Sequence, residues 1–252
     1  AWLRSLGPQD NLIVALEDAN CYGVHLVEHL NREGFRLRYV PAILTERERK
    51  QSTTRHKSDY VDAKRVGRVI LTKYEETLPA KENIANPEEL RLAQNLDLLI
   101  MERRDLVKAK TVLKNQLHAP LHQYYGDHYA DRFKKVFQPE SVSFFLDDLV
   151  RNPNPAKQIL ATGITRRLRR LTLTEEQIRQ ISKDIARVSQ EAKPVQLLAE
   201  QIHGCGVLTA ASILAEVITI KRFPNKEKLA MYAGVAPREH SSGARDRLYT
   251  NP

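Results

Sequence analysis

The sequence predicts an α/β domain at its N-terminal end, a long helical middle region and a mainly helical C-terminal end. Three observations lead to this prediction. Short apolar runs alternate with helical patterns over residues 1–80. A seven-residue leucine repeat runs within residues 81–194. An alanine-rich helical segment follows two glycines within residues 195–252. We therefore expect domain boundaries near residues 80 and 194.

The first region has the order strand, helix, strand, helix. Residues 12–16 form a short, continuous apolar run, which is typical of a strand buried on both faces. Gly34 suits the C-cap of the following helix, and Pro41 ends the second strand. The expected elements after the first strand are a helix over 22–32, a strand over 36–40, a charged loop over 45–57 and a helix over 58–74.

The middle region carries a leucine seam. Its members at one heptad position are Leu92, Leu99, Leu106 and Leu113, and those at the companion position are Leu96, Arg103, Lys110 and Leu117. This pattern predicts either a short coiled coil between subunits or a long helix packed within its own chain. The sequence leaves both interpretations open.

A dense basic run lies further along the middle region. Arg166, Arg167, Arg169 and Arg170 follow a break at residues 152–155, where asparagine alternates with proline. After the run, the spacing of Thr174 and Gln177 resembles a capping box, which predicts a helix start. The four arginines could follow a phosphate backbone. An exposed helix face explains the same run equally well.

The bulk composition indicates a polyanionic partner. The formal net charge is +9, and basic residues that neutralise phosphates release counterions; a membrane surface or a plain basic surface also fits. No apolar run approaches the roughly 20 residues that a membrane helix needs. Cys21 and Cys205 have no metal-ligand spacing and indicate two small buried thiols in a reducing compartment. We expect a cytoplasmic protein that uses no membrane partner.

Two glycines open the C-terminal helical region. Gly204 and Gly206 precede an alanine-rich apolar helix, and such a turn exposes backbone N–H groups beside a helix N-terminus, where phosphate binds. The pattern resembles a helix-hairpin-helix element, which holds DNA backbones without reading sequence. A tight helix–helix connection is the alternative interpretation.

Three carboxylates are candidates for metal-dependent chemistry. Glu17 ends the first predicted strand, where open α/β sheets place working groups. Asp59 and Asp62 lie three residues apart in the first turn of a predicted helix and therefore share a face. Brought together, the three would bind a hard cation, with Mg²⁺ preferred beside phosphate. An ordinary acidic helix N-terminus behind Ser58 explains the two aspartates without any metal.

Ser242 is a candidate nucleophile. It precedes Gly243 in a predicted polar loop that also contains Arg238, His240, Arg245 and Arg247. A serine hydroxyl attacks phosphate only when it is activated and the developing charge is held. Arg238 and Arg245 offer phosphate contacts of the required kind. A flexible Ser-Ser-Gly turn is the alternative.

Two separated segments together resemble the DEDD transposases of the insertion-sequence 110 family, relatives of the Piv DNA invertases. The matching residues of the first segment are Ala15-Leu16-Glu17, Tyr22-Gly23 and Lys57-Ser58-Asp59-Tyr60-Val61-Asp62-Ala63. Those of the second are Gly204-Cys205-Gly206, Leu208-Thr209-Ala210-Ala211, Ile220-Lys221-Arg222-Phe223, Tyr232-Ala233-Gly234, Ala236-Pro237 and Ser242-Gly243. The order and number of these short motifs make the resemblance specific.

The resemblance implies a RuvC-like, RNase H-type domain in which Glu17, Asp59 and Asp62 bind Mg²⁺. It also implies a transposase domain in which Ser242, or its neighbour Ser241, attacks DNA and forms a covalent intermediate. An RNA encoded by the element would bring donor and target DNA together. The coiled coil would join subunits of a homo-oligomer, so that a carboxylate site and a serine from different protomers meet.

The sequence departs from the family pattern at its start. The family's first Asp lies on an earlier strand, and Asp10 is not its equivalent. We therefore expect a truncated fragment with an incomplete metal site, inactive by itself. Two other functions fit the same residues: a RuvC-like nuclease that uses water as nucleophile, and an inactive nucleic-acid-binding remnant.

Overall fold

The computed structural model describes residues 2–17, 23–51, 58–236, 238–242 and 245–249. The described part of the chain is mostly helical, with a small sheet near its start and a hairpin near its end. The chain divides into two compact units. Unit one comprises Ala1–Arg91 with Val217–Pro252, and unit two comprises Leu92–Glu216. The division into three regions with boundaries near residues 80 and 194, which we expect from the sequence, stays a prediction.

Unit one is built around a sheet with the strand order β1-β2-β3. The strands are β1 (Ile13–Glu17), β2 (Arg36–Val40) and β3 (Leu78–Pro79). β1 pairs in parallel with β2, so the chain must cross over between them, and it does so through helix α1 (Val24–Arg32). β2 pairs antiparallel with β3. The two predicted strands and this helix are confirmed, and the mostly helical fold with its small sheet is compatible with a RuvC-like start.

Apolar residues cover both faces of this sheet. Val14 and Leu16 of β1 belong to one cluster with Val27 and Leu30 of α1. Ala15, between them in the strand, belongs to a second cluster, formed with side chains of α2 (Ala42–Gln51) and α3 (Asp59–Thr72). The buried members of that second cluster are Val40, Leu44, Val66 and Val69. Alternate residues of β1 therefore face different helices, as the continuous apolar run predicts.

Helix α2 corrects the prediction of a loop over 45–57. Leu44, Thr45 and Glu48 form a buried face at helical spacing, although the segment is highly charged. Exposed ion pairs support the opposite side, where Glu46 contacts Arg49 and Lys50, and the hydrogen bond to Lys50 lowers the pKa of Glu46. Packing of a narrow apolar face thus outweighs the polar composition. Residues 52–57 lie outside the described part of the chain.

Unit two is a helical assembly built on two long antiparallel helices. Its elements are α4 (Pro87–Tyr125), α5 (Pro139–Arg151), α6 (Gln158–Gln190), α7 (Lys193–Gln201) and α8 (Val207–Val217). The first five residues of α4 and the last residue of α8 are assigned to unit one. Leu96, early in α4, packs with Ile185, late in α6. Leu117, late in α4, packs with Leu168, early in α6. The two helices therefore run in opposite directions.

Helix α6 covers the leucine seam of α4. Leu92, Leu99 and Leu106 pack against one buried cluster of unit two and Leu113 against the other. At the basic companion position, Arg103 Nε donates to Ser182 Oγ over 3.0 Å. Of the two interpretations left open by the heptad pattern, the structure shows packing within the chain.

The capping-box prediction at Thr174 is wrong. Thr174 lies in the middle of α6, where it is buried and its hydroxyl donates to the Arg170 carbonyl over 2.8 Å. A threonine that faces the core satisfies its hydroxyl within its own helix and gives no start signal. The break at residues 152–155 is confirmed, since α5 ends at Arg151 and α6 begins at Gln158.

The C-terminal part of unit one contains α9 (Lys226–Tyr232) and a hairpin of β4 (Arg238–Ser242) and β5 (Arg245–Tyr249). Lys228 of α9 donates to the Glu75 carbonyl over 2.9 Å, which links this part to the segment before β3. The hairpin corrects the expectation of a polar loop around Ser242. Among the helices of the described residues, none combines the length and the apolar character needed to cross a membrane.

Candidate catalytic and nucleic-acid-binding sites

Glu17 lies at the C-terminal end of β1, as predicted, and is exposed. Its carboxylate accepts a hydrogen bond from the hydroxyl of Thr45 in α2. The same hydroxyl lies 2.9 Å from the Ala42 carbonyl. Because a hydroxyl carries one hydrogen, it donates to one of the two acceptors at a time. Thr45 is buried, so Glu17 presents one side to solvent and rests on the protein with the other.

Asp62 and Asp59 occupy the first turn of α3, and Ser58 caps the helix by accepting from the Val61 amide. The two aspartates differ in their surroundings. Asp62 Oδ1 lies 2.6 Å from Nη1 of Arg65, whose side chain is 8% exposed against 37% for Asp62. Asp59 is exposed and has no ion pair among the described residues. The helix N-terminus explains Asp59, whereas Asp62 also makes a contact with a buried charge.

Glu17, at the end of β1, and Asp62, in α3, lie on the same side of the sheet. Strand alternation puts Glu17 on the side of Ala15, which packs against α3. Helical spacing puts Asp62 on the same stripe of α3 as Val66 and Val69. Glu17, Asp59 and Asp62 do not form a group of three metal-ligating side chains, and no such group occurs elsewhere among the described residues. The structure thus brings two of the carboxylates to one face without completing a metal cage.

The two-glycine turn joins α7 to α8. Gly204 has a φ of +80°, which favours glycine, whereas Gly206 does not need a positive φ. Cys205 between them is buried as a free thiol, as expected; Cys21 lies outside the described residues. The Ala210 amide makes its helical bond to the Gly206 carbonyl, so the amides of residues 207–209 have no acceptor within α8. Two helices and an exposed glycine turn are thus present.

The four predicted arginines lie on α6. Arg166, Arg169 and Arg170 are exposed on the side away from the buried residues Ile164, Leu168 and Leu171, whereas Arg167 is half-buried and flanks that buried stripe. Within the described part of the chain, none of the four forms an ion pair. Their recorded side-chain hydrogen bonds go to carbonyls of their own helix, from Arg166 at 3.4 Å and from Arg167 at 3.3 Å. A concentrated positive charge therefore faces solvent.

The hairpin pairs Ser242 with Arg245 and Ser241 with Asp246. Residues directly opposite each other share a face of an antiparallel pair, and alternate residues change face. In this register a basic residue is the direct partner of Ser242 and an acidic residue is the direct partner of Ser241. Gly243 itself lies outside the described residues.

Thr45 and Arg65 are the side chains at the candidate carboxylates that the sequence reasoning missed. Arg65 follows Asp62 by three residues, which is the spacing of a helical ion pair, so a signal for this contact existed. Thr45 gave no signal, because its contact with Glu17 joins a strand to a helix 28 residues later.

Family comparisons match both ends of the chain. The model of the DEDD transposases of the IS110 family matches residues 1–126. A second model, for the transposase IS116/IS110/IS902 family, matches residues 196–251. The chain belongs to this transposase family. The resemblance expected from the short motifs is therefore confirmed, and residues 1–126 of the IS110-family chain include Glu17, Asp59 and Asp62.

A relative supports the same assignment. The IS110-family chain is similar to the transposase for insertion sequence element IS1111A of Coxiella burnetii (strain RSA 493 / Nine Mile phase I), with 31% identity over 155 residues. The aligned stretch covers 62% of this chain and 41% of the relative. It therefore spans about two fifths of the length of the curated relative that it matches.

Proposed function

We propose that this chain acts in DNA transposition, as part of an enzyme that exchanges DNA strands through metal-dependent chemistry and a covalent serine intermediate. One observation carries the proposal: within the segment that matches the transposase family, Glu17 and Asp62 lie on the same face of the sheet. A carboxylate at a strand end, with a second carboxylate from a helix on the same side of the sheet, is an arrangement that suits phosphoryl-transfer chemistry.

The donors fit Mg²⁺ in kind. Carboxylate oxygens are the ligands that this hard cation prefers, and we propose that Glu17, Asp59 and Asp62 hold it. When bound, such an ion activates an attacking oxygen and stabilises the leaving oxygen of a phosphodiester. The carboxylates of Glu17 and Asp62 each contact a buried side chain, and Asp59 would contribute its carboxylate from the exposed start of α3.

We propose Ser242 as the nucleophile. Its Oγ would form a bond to the scissile phosphorus while the bond from phosphorus to a deoxyribose oxygen breaks, and the serine proton would pass to a base or to solvent. The product is a phosphodiester between serine and one DNA end, with a free hydroxyl on the other. The register of the hairpin supports Ser242 over Ser241, because Arg245 is the direct partner of Ser242, whereas Asp246 is the direct partner of Ser241. Positive neighbours stabilise the developing charge on phosphate oxygens.

The basic groups are proposed to hold nucleic-acid backbone. Arg166, Arg167, Arg169 and Arg170 present charge that no acidic side chain of the described residues neutralises by an ion pair. The turn at Gly204 and Gly206 offers backbone amides, and Arg238 and Arg245 lie on the hairpin. For duplex DNA, the logarithm of the binding constant falls as the logarithm of the salt concentration rises. Replacing both Arg166 and Arg170 by alanine should make this slope less steep by about two, since each lost phosphate contact reduces its magnitude by about one.

The RNA and subunit proposals rest on the family resemblance. We propose that an element-encoded RNA brings donor and target DNA together, and that subunits associate so that carboxylates and serine meet. The leucine seam of α4 is already covered by α6, so the subunit contact we propose uses another surface.

The test is a protein–DNA adduct that survives denaturation, formed by the transposase with the DNA and RNA of its element. Wild type is compared with Ser242→Ala and Ser241→Ala, and the linked peptide is identified by mass spectrometry. Loss of the adduct only in Ser242→Ala supports the proposal. DNA cleavage without an adduct would identify the water-using RuvC-like nuclease instead. Salt-dependent binding without cleavage in any divalent metal would identify the inactive nucleic-acid-binding remnant.

A further inference from the structure

Two buried polar side chains lie directly behind the two carboxylates that share a face of the sheet. Thr45 of α2 is 8% exposed and Arg65 of α3 is 7% exposed. Thr45 contacts Glu17, and Arg65 contacts Asp62. The two contacts come from different helices and are independent of each other in sequence. Each candidate carboxylate of this face therefore has its own buried support.

The Thr45 contact fixes Glu17 at an exposed strand end. A glutamate at the end of a strand has three rotatable side-chain bonds and would otherwise sample many rotamers. The Thr45 hydroxyl has an acceptor in its own helix, the Ala42 carbonyl, so helix α2 does not need Glu17 to satisfy it. The hydrogen bond from Thr45 to Glu17 is therefore not needed for the stability of α2. Because it lies at a strand end where a ligand is expected, it points to a role in orienting the Glu17 carboxylate.

The Arg65 contact has a cost that packing does not explain. Its Nη1 lies 2.6 Å from Asp62 Oδ1, but its Nη2 is buried and has no hydrogen-bond partner in the described part of the chain. A buried guanidinium nitrogen without an acceptor is unfavourable. An exposed arginine at the same spacing would make the same ion pair without this cost. Arg65 therefore approaches Asp62 from the core side and leaves the outer side of the carboxylate accessible.

We propose that Thr45 and Arg65 are positioning residues, which hold the carboxylates of Glu17 and Asp62 in the orientation that binds a divalent cation. This inference rests on the metal-binding role of those carboxylates in the proposed function. Groups that hydrogen-bond to metal ligands fix ligand orientation, and their removal weakens metal binding about 10–100-fold. Asp59 has no such support and contributes less to the affinity.

The ion pair between the buried Glu48 and the partly exposed Lys73 is a contact of the fold alone. Lys73 Nζ lies 3.1 Å from Glu48 Oε1 and joins the C-terminal end of α3 to α2, and neither residue contacts Glu17 or Asp62. Loss of a structural contact of this kind lowers thermal stability without changing metal affinity. Loss of a positioning contact changes metal affinity even when the fold is intact.

The experiment measures Mn²⁺ binding to the protein of residues 1–252 by electron paramagnetic resonance, with thermal unfolding recorded for every variant. Thr45→Val removes only the hydroxyl, and Thr45→Ser restores it. Arg65→Lys keeps the charge but loses the planar guanidinium. Matched controls are Thr72→Val, which removes a hydroxyl bonded to its own helix, and Arg68→Lys, an exposed arginine one turn further along α3. Glu17→Gln and Asp62→Asn test the carboxylates themselves.

We expect Thr45→Val and Arg65→Lys each to raise the Mn²⁺ dissociation constant about tenfold, with Thr45→Ser within about twofold of wild type. The controls at Thr72 and Arg68 should leave the constant unchanged. A different result overturns the positioning role but supports the metal site. In that result, Thr45→Val and Arg65→Lys bind Mn²⁺ with wild-type affinity, whereas Glu17→Gln and Asp62→Asn bind it more weakly. If neither Glu17→Gln nor Asp62→Asn changes Mn²⁺ binding, the metal site is overturned, and this inference is overturned with it.

Discussion

Replacing Asp62 should destabilise unit one clearly more than replacing Asp59. In Asp62→Asn the Arg65 guanidinium loses its counter-charge while it stays buried, with its Nη1 2.6 Å from the former carboxylate and its Nη2 already without an acceptor. Asp59 is exposed and has no ion pair among the described residues. The two substitutions make the same chemical change one turn of helix apart, so each is the control for the other.

The magnitude follows from burial. Breaking a fully buried ion pair costs about 3–5 kcal/mol, and an exposed pair is worth about 0–1 kcal/mol. Arg65 is 8% exposed and Asp62 is 37% exposed, so the pair lies between these limits, and asparagine keeps a neutral acceptor. We therefore expect Asp62→Asn to lower the free energy of unfolding by about 1–2 kcal/mol. Asp59→Asn should cost about 0.5 kcal/mol, from the helix dipole.

Urea unfolding followed by circular dichroism measures the difference, and a double-mutant cycle locates its origin. Arg65→Met in the Asp62→Asn background removes the uncompensated charge, so the double variant should be more stable than Asp62→Asn alone. Additive losses in the double variant would refute the reasoning. Equal stability of the two single asparagine variants would refute it as well. Recombination assays of Asp62 variants need this stability measurement beside them.

Three further predictions concern unit two. Leu117→Ala in the core between α4 and α6 should cost about 2–5 kcal/mol in urea unfolding, whereas Leu98→Ala, 68% exposed, should change stability by less than about 0.5 kcal/mol; equal losses would contradict the intramolecular packing. Gly204→Ala should cost about 1–2 kcal/mol because of its φ of +80°, and Gly206→Ala clearly less, as thermal unfolding of the two variants will show. Burial raises the pKa of the Tyr125 phenol, so above about pH 10 the unfolded chain releases this proton more readily than the folded chain and stability falls. Tyr125→Phe should reduce that fall in urea titrations at alkaline pH, and an unchanged pH profile would count against it.

Local patterns in the sequence were sufficient for most elements of unit one. The apolar run before Glu17, the strand ended by Pro41 and the helix capped by Ser58 all appear where expected, because each depends on neighbouring residues. Helix α2 was missed, since only a narrow face around Leu44 is apolar and its packing partners lie elsewhere in the chain. The hairpin was missed because its strands are rich in charged residues and contain only one strong strand former, Tyr249.

The sequence by itself determined the family, the positive charge and the identity of the candidate carboxylates and serine, because motifs and composition are local properties. Only the tertiary structure decided what covers the leucine seam, since a heptad pattern is equally compatible with a helix of the same chain and one of another. Only it placed Glu17 and Asp62 on one face, with Thr45 and Arg65 behind them. Those relations join a strand to two helices, and burial against distant residues cannot be read from spacing along the chain.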